Sequence, residues 1–167
     1  MVNYKKNAFT LVELLVVIFI LGLLFSLALP AAKNFFPKAD KVVCISHLRN
    51  LWIAFSPCAS DPTGWPQLPK EIKIGSLEEQ KWWIDFSENY LGLDKKNWIC
   101  PTIARGARGS KKNDTEFLIN YLPTLFDPAP GTPNRWPAMP WFIEVGNMHG
   151  EGNLSIRCDG TVMPLAR

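Results

Sequence analysis

The stretch that decides the fold is Ala8-Phe9-Thr10-Leu11-Val12-Glu13 followed by Leu14-Leu15-Val16-Val17-Ile18-Phe19-Ile20-Leu21-Gly22-Leu23-Leu24-Phe25-Ser26-Leu27-Ala28-Leu29-Pro30-Ala31-Ala32. From Leu14 to Ala32 it runs nineteen residues without a charge. At about 1.5 Å of rise per residue, such a helix spans most of a hydrocarbon core of roughly 30 Å. Glu13 lies inside the apolar block, since Phe9, Leu11 and Val12 precede it. An ionised carboxylate there costs about 2.5–3.5 kcal/mol on insertion scales, so it calls for a function and a partner.

Ahead of the block is a short basic leader, Met1 to Ala8, with Lys5 and Lys6. A secretory signal peptide has its cleavage site after the apolar region. Here the small residue Ala8 precedes it. This arrangement resembles the start of a type IV prepilin or a type II secretion pseudopilin. The resemblance implies cleavage between Ala8 and Phe9 by a prepilin peptidase and methylation of the new Phe9 amine. It also implies that Glu13 pairs with the amine of a neighbouring subunit and so sets the register of assembly. The family usually has Gly where this chain has Ala8. Pro30 lies where the family often has a helix-bending proline.

The chain carries 18 basic and 15 acidic residues; removing Lys5 and Lys6 with the leader leaves 16 against 15. A mature chain so near neutrality gives no electrostatic case for nucleic-acid binding. Arg105, Arg108, Lys111 and Lys112 read as a solvated loop. Lys5 and Lys6 fit a cytoplasmic N-terminus, which leaves the remainder outside the inner membrane.

Beyond the apolar run, Ile45, Leu48, Trp52 and Phe55 recur at three- and four-residue steps, with Val42 and Leu51 widening the face. The pattern predicts one helix from near Phe9 to about Phe55, bent at Pro30 and Pro37, where backbone hydrogen bonds are lost. Proline and glycine make Ser56–Pro69 a loop. Ser76-Leu77-Glu78-Glu79 is a capping box that opens a helix ending at Gly92. Trp83, Phe86 and Tyr90 of that helix should meet the core, with Trp82 and Ile84 beside them. Trp98–Pro101 reads as extended, Thr102–Thr115 as a polar loop and Asp127–Pro140 as irregular. Strands are expected at Phe117–Leu122, at Trp141–Val145 in the centre, and at Asn153–Cys158, where Leu154, Ile156 and Cys158 face one side. A two-residue primed turn at Asp159-Gly160 would lead into Thr161–Met163. The expected architecture is α+β and pilin-like: leader 1–8, transmembrane helix 9–32, amphipathic continuation 33–56, and a head over 57–167 with a small antiparallel sheet laid on the helix.

His149, then nine residues, then Asp159-Gly160 is similar to the H-X9-DG element of a large bacterial family of prepilin-like proteins. Cys44-Ile45-Ser46-His47-Leu48-Arg49-Asn50, Ala59-Ser60-Asp61 and Trp98-Ile99-Cys100-Pro101 resemble further landmarks of that family. His47 stands where it usually has Asn, and Cys58 where it usually has an aromatic. His149 and Asp159 can be read as a metal or catalytic pair. The reading preferred is structural: a loop histidine bonded to carbonyls, and an Asp-Gly turn.

Four cysteines in an exported head are compatible with two disulfides, and the residues alone leave all three pairings open. The resemblance brings Cys44 and Cys100 together, which leaves Cys58 and Cys158 as the other pair. With no Cys-x-x-Cys and only His47 and His149 as imidazoles, no zinc site is expected. Asp61, Asp127, Glu144 and Glu151 are the acids available for calcium, but no Asp-x-Asp-x-Asp-Gly loop is present. There is no Gly-x-Ser-x-Gly, His-Glu-x-x-His or phosphate loop, so neither an enzyme nor a cofactor is expected. The expected partners are other pilin or pseudopilin subunits, the prepilin peptidase, an inner-membrane assembly platform and lipid. The head would lie in the periplasm before assembly and in a periplasmic or extracellular filament after it. The alternative is a membrane-anchored periplasmic or surface binding module, or after it an enzyme, that uses Leu14–Ala32 only as an anchor.

Overall fold

The structure, a computed structural model, describes residues 10–61, 64–107, 118–150 and 152–165; the side chains of 28–34 and 105–107 lie outside the description. The expected leader and the Ala8-Phe9 site, Phe117 and Glu151 are not among the described residues. Two compact units are present, Met1–Pro37 and Lys38–Arg167.

Helix α1 is assigned over Leu11–Ser60 and continues through Pro30 and Pro37. Its start is a reciprocal cap. Thr10 N and Oγ1 donate to Glu13 Oε2 at 2.9 and 2.8 Å, and Glu13 N donates to Thr10 Oγ1 at 3.3 Å. Thr-x-x-Glu is thus a capping box that satisfies two free helix-end donors. In the first unit every described side chain from Leu11 to Leu27 is exposed. Among the described residues no helix is long and apolar enough to cross a membrane. After Glu13 the charge-free run with described side chains goes from Leu14 to Leu27, about 21 Å of helix against a core of roughly 30 Å. The span expected over 9–32 reaches beyond that run.

The second unit packs around the apolar face of α1 after Pro37. Cys44, Leu48, Leu51, Phe55 and Ala59, at steps of four and three, are buried. Ile45 and Trp52 pack at the edge of the core, while Arg49 and Asn50 point outward. Val42 does not widen the face: it is exposed, because two residues before Cys44 lies about 200° around the helix. The helix also runs past Phe55. Pro57 lies within its last turn, where Ser56 Oγ donates to the Trp52 carbonyl at 2.6 Å and Asp61 N to the Pro57 carbonyl at 2.9 Å.

Helix α2 (Leu77–Leu91) begins at Ser76, whose side chain accepts from Glu79 N, and ends at Gly92 with φ 64°. Trp83 and Ile84 are buried. Tyr90 is not: it is 76% exposed and stacks on Phe86 at 5.2 Å, as Phe86 stacks on Trp82 at 5.4 Å. Those three rings follow a four-residue step along the rim of the core rather than into it. Phe55 is the centre of the aromatic core, within 6.1 Å of Trp65, Trp83, Phe86, Trp98 and Phe142. Trp65, Trp83, Trp98 and Trp141 are fully buried, whereas Trp136 is exposed.

Trp98 is not in an extended segment. Asp94 caps a 3-10 turn over Lys95–Trp98, and a short helix α3 (Pro101–Ala107) follows with proline in its first position. The Asp94 carboxylate takes the Lys96 N–H at 2.8 Å and turns the chain up to Trp98, so the extended backbone expected over 98–101 is confined to Ile99, with φ −117° and ψ 125°, before α3 begins. A second short helix, α4 (Thr132–Arg135), interrupts the proline-rich stretch.

The sheet is a four-stranded antiparallel meander in the order β1 (Tyr121–Pro123), β2 (Phe142–Glu144), β3 (Leu154–Ile156), β4 (Val162–Pro164). β1 begins later than expected because Leu118 N and Ile119 N donate to Gln80 Oε1 at 2.8 and 3.3 Å. Pro123 lies inside the strand, which an edge position tolerates. On β3, Ser155 is as buried as Leu154 and Ile156, and its hydroxyl donates to the Met163 carbonyl.

The turn at Asp159-Gly160 is not the primed two-residue type. Among the described residues no non-glycine has positive φ, Gly160 has φ 77°, and Gly160 N donates to the Arg157 carbonyl at 3.0 Å. With Arg157 N bonded to the Thr161 carbonyl, this is a three-residue loop: an ordinary turn closed by a left-handed glycine.

Candidate functional site

One buried cluster gathers side chains from four separate segments of the second unit. Cys44 comes from the packed face of α1, and Cys100 stands at the entry to α3, its N–H held by Asn120 Oδ1 at 2.9 Å. Glu144 ends β2, directly across from Tyr121 of β1, so their side chains share one face of the sheet. His149 comes from the loop between β2 and β3, where Gly146, Gly150 and Gly152 all adopt positive φ.

The donor atoms of Cys44, Cys100, Glu144 and His149 all lie within 4.8 Å of one another. Cys44 Sγ is 2.9 Å from Cys100 Sγ, Cys100 Sγ is 3.9 Å from His149 Nε2, and His149 Nε2 is 3.3 Å from Glu144 Oε1. The His149 and Glu144 side chains are 1% and 0% exposed. Glu144 Oε2 accepts a long bond from Leu154 N at 3.4 Å, while Glu144 Oε1, Tyr121 Oη and His149 Nδ1 have no hydrogen-bond partner among the described residues.

Burial dominates the electrostatics. It pushes the Glu144 carboxyl and the Tyr121 phenol above their usual ranges. The contact between the thiols sets them apart: it pushes Cys44 up, with burial adding to it, and draws Cys100 down. The Cys100 sulfur is also favoured as thiolate by the Thr102 and Ile103 N–H groups. Just outside, His47 Nδ1 donates to the Ile99 carbonyl at 3.1 Å, and burial holds its imidazole below the usual range.

The residues singled out in the sequence divide between this cluster and other places. Cys44 and Cys100 meet, and both are free thiols, as are the half-buried Cys58 and Cys158. His149 enters the cluster with Glu144 and Cys100, whereas Asp159 is exposed and accepts from Thr161 N at 2.8 Å. Asp127 is spent on Ala129 N, and Glu144 faces thiols rather than a ring of oxygens. In the sequence, the lack of a Cys-x-x-Cys pair and the presence of only two histidines speak against zinc, because three of the four clustered side chains are far apart along the chain. The role of Glu144 was missed as well, and its one signal was an acid placed in the most apolar strand.

Residues 3–29 match the family model of the prokaryotic N-terminal methylation motif. The match covers 27 of the 167 residues, so it is the N-terminal segment that is similar to the start of prepilin-type, pseudopilin-like proteins. The match does not extend to His149, Asp159 and Gly160. No curated protein and no solved structure matches the chain.

Proposed function

We propose that the chain is a structural subunit of a type IV pilus-like or type II secretion pseudopilus filament, cut between Ala8 and Phe9 by a prepilin peptidase and methylated on Phe9. The methylation motif over residues 3–29 supports the precursor. The observation that carries the filament reading is the first part of α1, where apolar side chains are exposed all round, Leu11 at 80% and Leu27 at 73% among them. A helix apolar on every side has to be covered. Lipid covers it in the membrane before assembly, and the helices of neighbouring pilin or pseudopilin subunits cover it afterwards. The assembly platform of the inner membrane moves the subunit between the two, and the head then lies on the filament surface in the periplasm or outside the cell.

Intact-mass and N-terminal peptide analysis of the protein from membranes of cells that contain the peptidase tests the processing step. The expected product begins at methylated Phe9. Recovery of only full-length chains that still carry Met1–Ala8 overturns it.

A further inference from the structure

We infer that Cys44, Cys100, Glu144 and His149 form a closed structural site for one divalent transition-metal ion, zinc being the best match, which ties α1, α3 and the sheet together. This goes beyond the filament reading and does not depend on it.

Three observations carry the inference. The four ligating atoms come from four separate segments, and all lie within 4.8 Å of one another. In a tetrahedral zinc site, with bonds of about 2.3 Å to sulfur and about 2.0–2.1 Å to nitrogen and oxygen, neighbouring donors sit roughly 3.3–3.8 Å apart. The His149–Glu144 separation of 3.3 Å falls in that range, and the Cys100–His149 separation of 3.9 Å lies just beyond it. The two sulfurs, at 2.9 Å, need to part by roughly 0.9 Å, within reach of a small side-chain rotation.

Second, Glu144 is fully buried, and its Oε1 has no hydrogen bond, only the 3.3 Å contact with His149 Nε2, itself one of the four ligands. A buried carboxylate held by that contact and one weak backbone donor is costly; a cation at the centre, bound by both side chains, removes that cost. A Cys44–Cys100 disulfide would account for two of the four side chains and leave this one unexplained.

Third, the donor set selects the ion. Two thiolates, an imidazole and one carboxylate suit zinc; calcium and magnesium require oxygen donors. Four protein ligands in a buried setting leave no position for substrate, the pattern of a structural site. Zinc entering the site displaces the thiol protons to solvent.

The test uses the full chain, purified from membranes in detergent without chelators, with thiols alkylated at lysis. Metal analysis of the wild type is expected to find about one zinc per chain, with Cys44 and Cys100 alkylated only after denaturation in chelator. Replacement by Co2+ should give a thiolate-to-cobalt charge-transfer band and the visible bands of tetrahedral cobalt. Cys58→Ser and Cys158→Ser should keep the metal and the bands, whereas Cys100→Ser and His149→Gln should lose both. A wild-type chain without zinc that gives no cobalt spectrum, or one with Cys44 and Cys100 joined as a disulfide, overturns the inference. Because these readouts come from the wild type, they decide the matter even where a variant fails to fold.

Discussion

Trp52 Nε1 donates to the Cys158 carbonyl at 2.9 Å, and its ring lies under Gly160 so closely that an added Cβ would sit 3.4 Å from three ring atoms. The Asp159-Gly160 loop is therefore a clasp that fastens the β3–β4 hairpin to α1. Gly160 carries two demands at once, a left-handed backbone and a flat approach to the indole.

Gly160→Ala should destabilise the second unit by about 1–2 kcal/mol, from the left-handed conformation alone, with crowding of Trp52 added. Trp52→Phe, which keeps an aromatic ring and drops the donor, should cost about 1 kcal/mol. Urea unfolding of the full chain in detergent, followed by tryptophan fluorescence, measures both. An unchanged midpoint for Gly160→Ala would show that the clasp contributes nothing.

His47 predicts a pH dependence. Burial holds its imidazole below the usual range, so the unfolded chain takes up the proton before the folded chain does. The contribution to stability is complete above the unfolded value of about 6.5 and is lost as the pH falls from there toward the folded value. The wild type should lose more stability than His47→Asn between about pH 7.5 and about pH 5.5. Comparison of the two urea midpoints at each pH isolates this group from others that titrate in the same window. Identical losses in the two proteins would remove the effect.

Glu13 has two candidate roles that a pair of variants separates. The structure shows its carboxylate accepting from Thr10 N and Oγ1 in the capping box. Assembly asks it to offer a negative charge to the amine of a neighbouring subunit, an attraction that is strong in a low-dielectric core when well aligned. Glu13→Gln retains an acceptor for the box but no charge, since glutamine serves equally well at that position of the motif. Glu13→Ala removes both. If charge sets the register, both variants should be processed normally and yield few or disordered filaments by shearing and microscopy. Normal filaments from processed Glu13→Gln protein would reduce Glu13 to a helix cap.

The sequence alone was sufficient where the governing physics is local. The charge-free run after Glu13, the helical rhythm through Leu48, Leu51 and Phe55, the Ser76 cap and the Gly92 stop depend on residues within one or two helical turns, and each is where the pattern placed it, although the buried face is centred on Cys44 rather than Ile45 and runs on to Ala59. The central strand at Phe142–Glu144 was legible for the same reason. Tertiary structure decided what depends on distant partners. Gln80 takes the N–H groups that would have lengthened β1, and Asp94 turns the chain before Trp98. The Asp159-Gly160 loop gained a third residue as its strands paired Arg157 with Thr161. Above all, spacing along the chain hid the cluster of Cys44, Cys100, Glu144 and His149. Its donors are up to 105 residues apart in sequence and within 4.8 Å in space, because they meet only where the helix face, the entry to α3 and the end of β2 close on one another.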